Sequence, residues 1–190
     1  MRLQSALSVV LTVVSALAVP PAARAAELAG VTVPDSTRLG DATLVLNGTG
    51  LRSKLFIKVY VGALYLPARD RDAGHLLATD AVRRMELHFV RNVTTKQLCD
   101  SWKEGLEANS PGAAADLVAK FDRLCTAMAD VHEGSVLALT YAPGTGTEIA
   151  FDGQAKATVE GKDFADALLR CWIGPEPGPG EDFKNGVLGR

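Results

Sequence analysis

The sequence predicts an α+β fold, and three observations carry that reading. Segments with a two-residue apolar period come first, and two segments of helical period follow. Strand signals then resume before a last helix. This order differs from the regular strand–helix alternation of a parallel α/β sheet.

Each element has its own signal. Ala42 to Asn47 alternates weakly. Leu55 to Leu66 is the strongest strand candidate. Period two puts Leu55, Ile57, Val59, Val61, Ala63 and Tyr65 on one face, and Phe56, Lys58, Tyr60, Gly62, Leu64 and Leu66 on the other. The first face is wholly apolar; the second mixes apolar and functional groups. Arg84 to Val90 is a third strand candidate. Thr94-x-x-Gln97 is a capping box that opens a helix. Leu98, Trp102 and Leu106 then recur at four-residue spacing along it. After Asn109-Ser110-Pro111-Gly112 a second helix carries Leu117, Val118, Phe121, Leu124, Cys125 and Met128 as its stripe. Val136 to Tyr141 ends at Pro143-Gly144, and Glu148 to Phe151 ends at Asp152-Gly153. Asp-Gly is a type I′ hairpin signal, so Gln154 to Val159 is expected to pair back antiparallel. Lys162 to Trp172 is a helix with Phe164, Ala167, Leu168, Cys171 and Trp172 on one face, closed by Gly174. The run Gly174 to Gly180 is a late loop.

Composition narrows the classes. The chain has 190 residues, 47% of them hydrophobic and 22% charged, with a formal charge of −2. These are the proportions of an ordinary globular protein. A pI near 5.9 gives no basic footprint, which argues against nucleic acid as a partner. Arg2, the apolar run Ala6 to Val19 and the small-residue site Ala23-Arg24-Ala25 form a secretory signal peptide over residues 1–25, followed by one domain over 26–190. The run is shorter than the roughly 20 residues that span a bilayer as a helix, so no transmembrane span is expected after cleavage. Losing Arg2 and Arg24 takes the formal charge from −2 to −4. The expected location is periplasmic or secreted.

Export puts Cys99, Cys125 and Cys171 in an oxidising compartment. One pair with one free thiol, or no bond at all, both fit three cysteines. All three fall on apolar helical faces, which favours buried, reduced thiols. The chain has no CxxC and no Cys/His cluster, so neither a metal site nor a cofactor is indicated.

Few motifs carry chemistry. Gly48-Thr49-Gly50 and Gly144-Thr145-Gly146 complete no nucleotide-binding fingerprint and read as turns. His75, His88 and His132 are scattered, and no nucleophile elbow is present. Asn47-Gly48-Thr49 and Asn92-Val93-Thr94 match the glycosylation pattern, which matters only on a eukaryotic secretory route. The remaining group is basic and phenolic: Arg52, Lys58, Tyr60 and Lys96. A guanidinium at the rim of an apolar cleft suits a carboxylate or an enolate-like oxygen, because it stays charged and donates two parallel hydrogen bonds. The plainer reading is that Arg52 and Lys58 are solvated surface charges.

Three ordered motifs change that balance. Leu46-Asn47-Gly48-Thr49-Gly50-Leu51-Arg52, with Phe56 to Leu66 after it, resembles the opening of chalcone-isomerase-like proteins. Phe164 to Gly174 and Phe183 to Gly189 resemble their closing helix and ending. The resemblance covers nearly all of residues 27 to 189, and is nearer to exported bacterial members than to plant flavonoid enzymes. It implies an open-faced β-sandwich: a long antiparallel sheet with helices packed on one side and a ligand cleft between them. The family holds isomerases, fatty-acid-binding proteins and non-catalytic members. Arg52 matches an Arg that contacts ligand after a Gly-x-Gly-x stretch. Tyr60 stands where the plant strand has Thr, Lys96 is a loose match to a helix Lys, and Asn109 resembles a cleft Asn. Cys171 and Trp172 replace the Thr-Met of the plant pocket wall.

The resemblance therefore implies a pocket of Arg52, Tyr60, Lys96, Asn109, Cys171 and Trp172 holding a fatty acid or similar apolar carboxylate, with Arg52 as its anchor. An isomerase or intramolecular lyase on another substrate, and a non-catalytic structural protein, are the alternatives. One geometric condition applies to the first two. On a straight strand at ~3.3 Å per residue, Arg52 and Tyr60 would lie roughly 26 Å apart. They share a site only if the chain turns near Ser53-Lys54, or if the ligand is long.

Overall fold

The computed structural model describes residues 25–190, so all but Ala25 of the expected leader lies outside the described residues. A short hairpin of β1 (Ala25–Leu28) and β2 (Val31–Pro34) comes first. β3 (Ser36–Leu39), β4 (Ala42–Lys54) and β5 (Ile57–Leu66) follow. Helix α1 (Ala73–Ala78) leads into β6 (Arg83–Phe89). Helices α2 (Thr95–Asn109) and α3 (Ala115–Thr126) come next. Then come β7 (Val136–Ala142), β8 (Gly146–Phe151) and β9 (Gln154–Val159). Helices α4 (Lys162–Ile173) and α5 (Glu181–Val187) end the chain.

β3 to β9 form one seven-stranded sheet in sequence order, every neighbour antiparallel. This is the long antiparallel sheet that the resemblance implied. Each strand pairs with its chain neighbour, which is what short antiparallel connections permit. Beyond the predicted elements, β1, β2, β3, α1 and α5 are present.

The two sheet faces are treated differently. One is covered by helices. Leu64, Leu87, Leu137 and Ile149 of the sheet pack there against Leu98, Trp102, Phe121, Leu124, Phe164, Leu168 and Phe183. The Thr94–Gln97 capping box starts α2 as expected, each side chain bonding the other's backbone N–H. On the other face, the β1–β2 hairpin closes a smaller core of Val33, Leu44, Leu46, Ala63 and Tyr65. The Tyr65 hydroxyl donates to Pro34 O at 2.9 Å, tying the hairpin to the sheet. Further along that face β6 presents polar groups. Arg84 Nε and the His88 ring both reach the Glu86 carboxylate, at 2.8 and 3.1 Å. His88 therefore alternates with apolar neighbours because the sheet has one dry and one polar face.

Three expectations need correction. Gly48 and Gly50 are not turn residues; they lie inside β4. A Cβ on Gly48 would overlap Gly186 O, and one on Gly50 would meet Phe183 O at 2.6 Å. Gly62 of β5 lies beneath the Phe183 ring in the same way. These glycines form a bare track on which α5 sits directly on strand backbone, so their role is close approach.

Conversely, Leu55 and Phe56 are not strand residues. They are the two central residues of the β4–β5 hairpin, both with positive φ (49° and 69°). A two-residue type I′ turn demands that geometry, and it ordinarily selects Asn-Gly or Asp-Gly. Two bulky apolar residues there give no local sign of a turn. The third correction concerns the thiols. Cys99 of α2 and Cys125 of α3 form a disulfide, with Cα atoms 5.5 Å apart, and only Cys171 is the buried free thiol expected. The two helices lie side by side, which brings partly exposed cysteines from both into bonding range.

Candidate functional site

The position of Arg52 follows from one residue inserted in β4. Leu46 pairs with Tyr65, but the next pair is Gly48 with Leu64, so Asn47 is an extra residue in a β-bulge. Before the bulge, Leu44 and Leu46 face the β1–β2 hairpin; after it, Gly48, Gly50 and Arg52 face the helices. Asn47 holds the bulge with its side chain. Its Nδ2 donates to Val187 O, and its Oδ1 accepts from the Asp70 N–H, both at 2.8 Å.

The hairpin turn at Leu55–Phe56 then folds β5 back on β4, so that Arg52 pairs directly with Tyr60. Opposed residues of an antiparallel pair have Cα atoms about 4.5–5.5 Å apart, not roughly 26 Å. The condition set by the sequence is met by a turn two residues beyond Ser53-Lys54.

Beside this pair a cavity of about 410 Å³ opens between the sheet and the helices. Val59 and Leu87 floor it, Leu98 and Trp102 of α2 form one wall, and Cys171 and Trp172 of α4 form another. Gly178 and Pro179 of the late loop close it beside Arg52. Apolar and aromatic side chains line its interior, and the exposed Lys54, Arg91, Asp100 and Glu104 join the lining.

Tyr60 is buried and fixed on three sides. Its ring meets Phe89 and Phe183 edge-on, with centroids 5.6 and 5.9 Å away. Its oxygen accepts a hydrogen bond from Trp172 Nε1 at 2.9 Å. Burial pushes its pKa up to about 12; the nearby Arg52 charge and the Trp172 bond oppose this only partly. The hydroxyl thus keeps its proton, and with the oxygen already accepting from Trp172, that proton is left to donate. Arg52 is half-buried and lines the cavity. Among the described residues, no carboxylate pairs with it. A cation and a neutral O–H donor, side by side at the edge of an apolar cavity, suit an anionic oxygen on an otherwise apolar molecule.

The other candidate residues fall differently. Cys171 and Trp172 do line the cavity. Burial raises the Cys171 thiol to about 12, so it is a protonated wall group rather than a nucleophile. Lys96 does not line the cavity. Its side chain is 83% exposed and pairs with Asp100 at 2.6 Å. Helical period turns Leu98 and Ser101 toward the cavity, with the exposed Gln97 at its edge, and leaves Lys96 in solvent. Asn109 does not line it either. Its side chain donates to Glu176 O at 2.8 Å and accepts from Glu176 N at 2.9 Å, clamping the late loop to the end of α2. A Cβ on Gly174 would overlap Asn109 Oδ1, and φ there is −68°; close approach, not a left-handed cap, is what Gly174 provides.

Sequence reasoning missed Val59, Leu87, Arg91, Gln97 and Trp102 as lining residues. Trp102 could be seen in the α2 stripe, but a stripe alone does not distinguish a cavity wall from filled core. Among the described residues, no cluster of His, Cys, Asp and Glu could hold a metal ion, and no helix is long and apolar enough to cross a membrane.

Comparisons with known proteins agree with this architecture. A family model described as chalcone isomerase-like matches residues 25–189. The crystal structure of a fatty-acid binding protein from Arabidopsis thaliana superposes with a TM-score of 0.67 at 20% identity, covering 87% of this chain and 96% of that one. Among curated proteins, none matches the sequence significantly.

Proposed function

The chain belongs to the chalcone isomerase-like family, and from that premise we propose that its cavity binds a fatty acid or a similar apolar carboxylate. One observation carries the reading: a half-buried guanidinium, unpaired among the described residues, lies beside a buried hydroxyl donor at a cavity of about 410 Å³. In this reading Arg52 anchors the carboxylate and the Tyr60 hydroxyl donates a second bond. The alkyl chain lies against Val59, Leu87, Leu98 and Trp102. The Arabidopsis neighbour, a fatty-acid binding protein of the same fold, supports the ligand class.

Apolar burial supplies the affinity in this scheme. Each buried CH₂ adds about 0.8 kcal/mol, so affinity should climb with chain length and then level off once the cavity is full. Native mass spectrometry with C12 to C18 acids tests it. Wild type should carry one acid, and Arg52→Ala should bind it at least about tenfold more weakly, as loss of a charge-assisted pair implies. An apo mass with every acid would overturn the reading.

Export supplies the setting. The Cys99–Cys125 disulfide suits an oxidising compartment, as does the leader expected over residues 1–25. Alkylation of the unfolded, unreduced protein should label Cys171 alone; three labelled thiols would count against a periplasmic or secreted location.

A second reading draws on the same pair. A cation beside a protonated hydroxyl also stabilises an enolate oxygen, as intramolecular ring closure of a chalcone requires. Ring closure well above background that disappears in Arg52→Ala would favour an isomerase. A purely structural role predicts a cleft filled by the protein's own side chains, and a cavity of this size beside Arg52 counts against it.

A further inference from the structure

The β4–β5 hairpin tip has no use in ligand contact alone. Leu55 is 83% exposed, Phe56 102% and Ile57 51%, consecutive in the chain and unlike the buried stretch of β5 from Tyr60 to Leu66. Both central residues adopt positive φ, a conformation that Gly or Asn takes readily and that a bulky side chain takes at a cost. The chain thus holds Leu55 and Phe56 in a tight turn whose effect is to project their side chains outward. Lys54 and Lys58, both exposed, flank the three apolar residues. Lys54, Leu55 and Ile57 also line the cavity, so the tip stands at its mouth. The acidic lining groups Asp100 and Glu104 belong to α2, on the opposite wall, and Asp100 is occupied by Lys96.

We propose that this tip docks on an anionic lipid bilayer. Phe56 and its neighbours enter the headgroup boundary while Lys54 and Lys58 meet lipid phosphates, the division of labour that surface-binding segments use. Charge chooses the occupant. An apolar protein partner would need no flanking cations, whereas a negative membrane surface attracts both lysines. Docking stands on the tip's geometry; its use, moving the ligand between bilayer and cavity without crossing water, rests on the function proposed above.

Vesicle co-sedimentation tests it, with phosphatidylcholine alone and with added phosphatidylglycerol. Wild type should bind the anionic vesicles more tightly, and added salt should weaken that binding. Phe56→Asn should lower partitioning about tenfold, as loss of one buried Phe side chain implies. It should do so with an unchanged or raised melting temperature, because Asn accepts the left-handed turn. Lys58→Glu should abolish the preference for phosphatidylglycerol. Neither Phe56 nor Lys58 lines the cavity, so both variants should bind a fluorescent fatty acid in vesicle-free solution as wild type does. Docking that persists while no acid binds would sink the carrier function and leave this proposal standing. Equal vesicle binding by wild type and Phe56→Asn, or none by either, overturns it. A concentration-dependent dimer that Phe56→Asn abolishes also overturns it, by assigning the tip to a second copy.

Discussion

The same face of the same two strands ends in two opposite ways. At one end, Gly48, Gly50 and Gly62 expose bare backbone, and α5 lies so close that a side chain on any of them would collide. At the other end, four residues or fewer away, Arg52 and Tyr60 carry large side chains, and an open cavity stands where a helix would otherwise pack. Side-chain size along one face therefore decides where a helix can settle. A row of glycines closes the structure, while an Arg and a Tyr hold it open. The closed end fixes the position of the open end, because the bulged Asn47 binds both the last turn of α5 and the Asp70 N–H beyond β5.

The strongest way to break this contrast is Gly48→Val. The obstacle is backbone on both sides, Gly186 O and Gly189 N, which cannot rotate away as a side chain would. Stability should fall by about 3 kcal/mol in chemical unfolding, at the high end for overpacking. An effect below about 1 kcal/mol would show that α5 is loosely held.

Asn47→Ala should come next. It removes one buried and one part-buried hydrogen bond and leaves Val187 O without its donor, for a loss of about 2 kcal/mol. The sharper readout is binding. If the bulge slips, period two turns Arg52 to the far face, and fatty-acid affinity should fall with it. Intact affinity in a destabilised protein would separate the bulge from the Asn47 side chain.

Tyr60→Phe should have the smallest effect. Trp172 Nε1 loses its acceptor, at about 1 kcal/mol. With an unfolded value of 10 and a folded value near 12, the phenol holds its proton more firmly in the native state. Its share of stability is complete below pH 10 and is lost as pH rises from 10 toward 12. Thermal melts of wild type and Tyr60→Phe should therefore draw together as pH rises above 10, while below pH 10 the protonated hydroxyl should add its hydrogen bond to ligand affinity with no pH dependence of its own.

Much of the fold was legible because most strands and helices declare themselves locally. The Thr94–Gln97 box, the Leu98–Trp102–Leu106 stripe and the Asp152-Gly153 turn each depend on residues a few positions apart, and each appears where expected. Arg52, Tyr60, Cys171 and Trp172 do meet at one cavity. Lys96 and Asn109 do not line it, because a family match transfers a position in the chain and not the direction of a side chain.

By itself the sequence determined the α+β order, the antiparallel return of its last strands and the family resemblance, since these rest on periodicity, turn chemistry and ordered motifs. The tertiary structure alone decided which way Arg52 points, which cysteines pair and that the cleft stays open. Each of these depends on something no local pattern records. The bulge at Asn47 reverses period two within one strand and is held by Val187, distant in the chain. The turn at Leu55–Phe56 uses residues whose chemistry argues against a turn. The disulfide joins two helices that only tertiary packing brings side by side, and the cavity is a space that side chains from several elements leave unfilled.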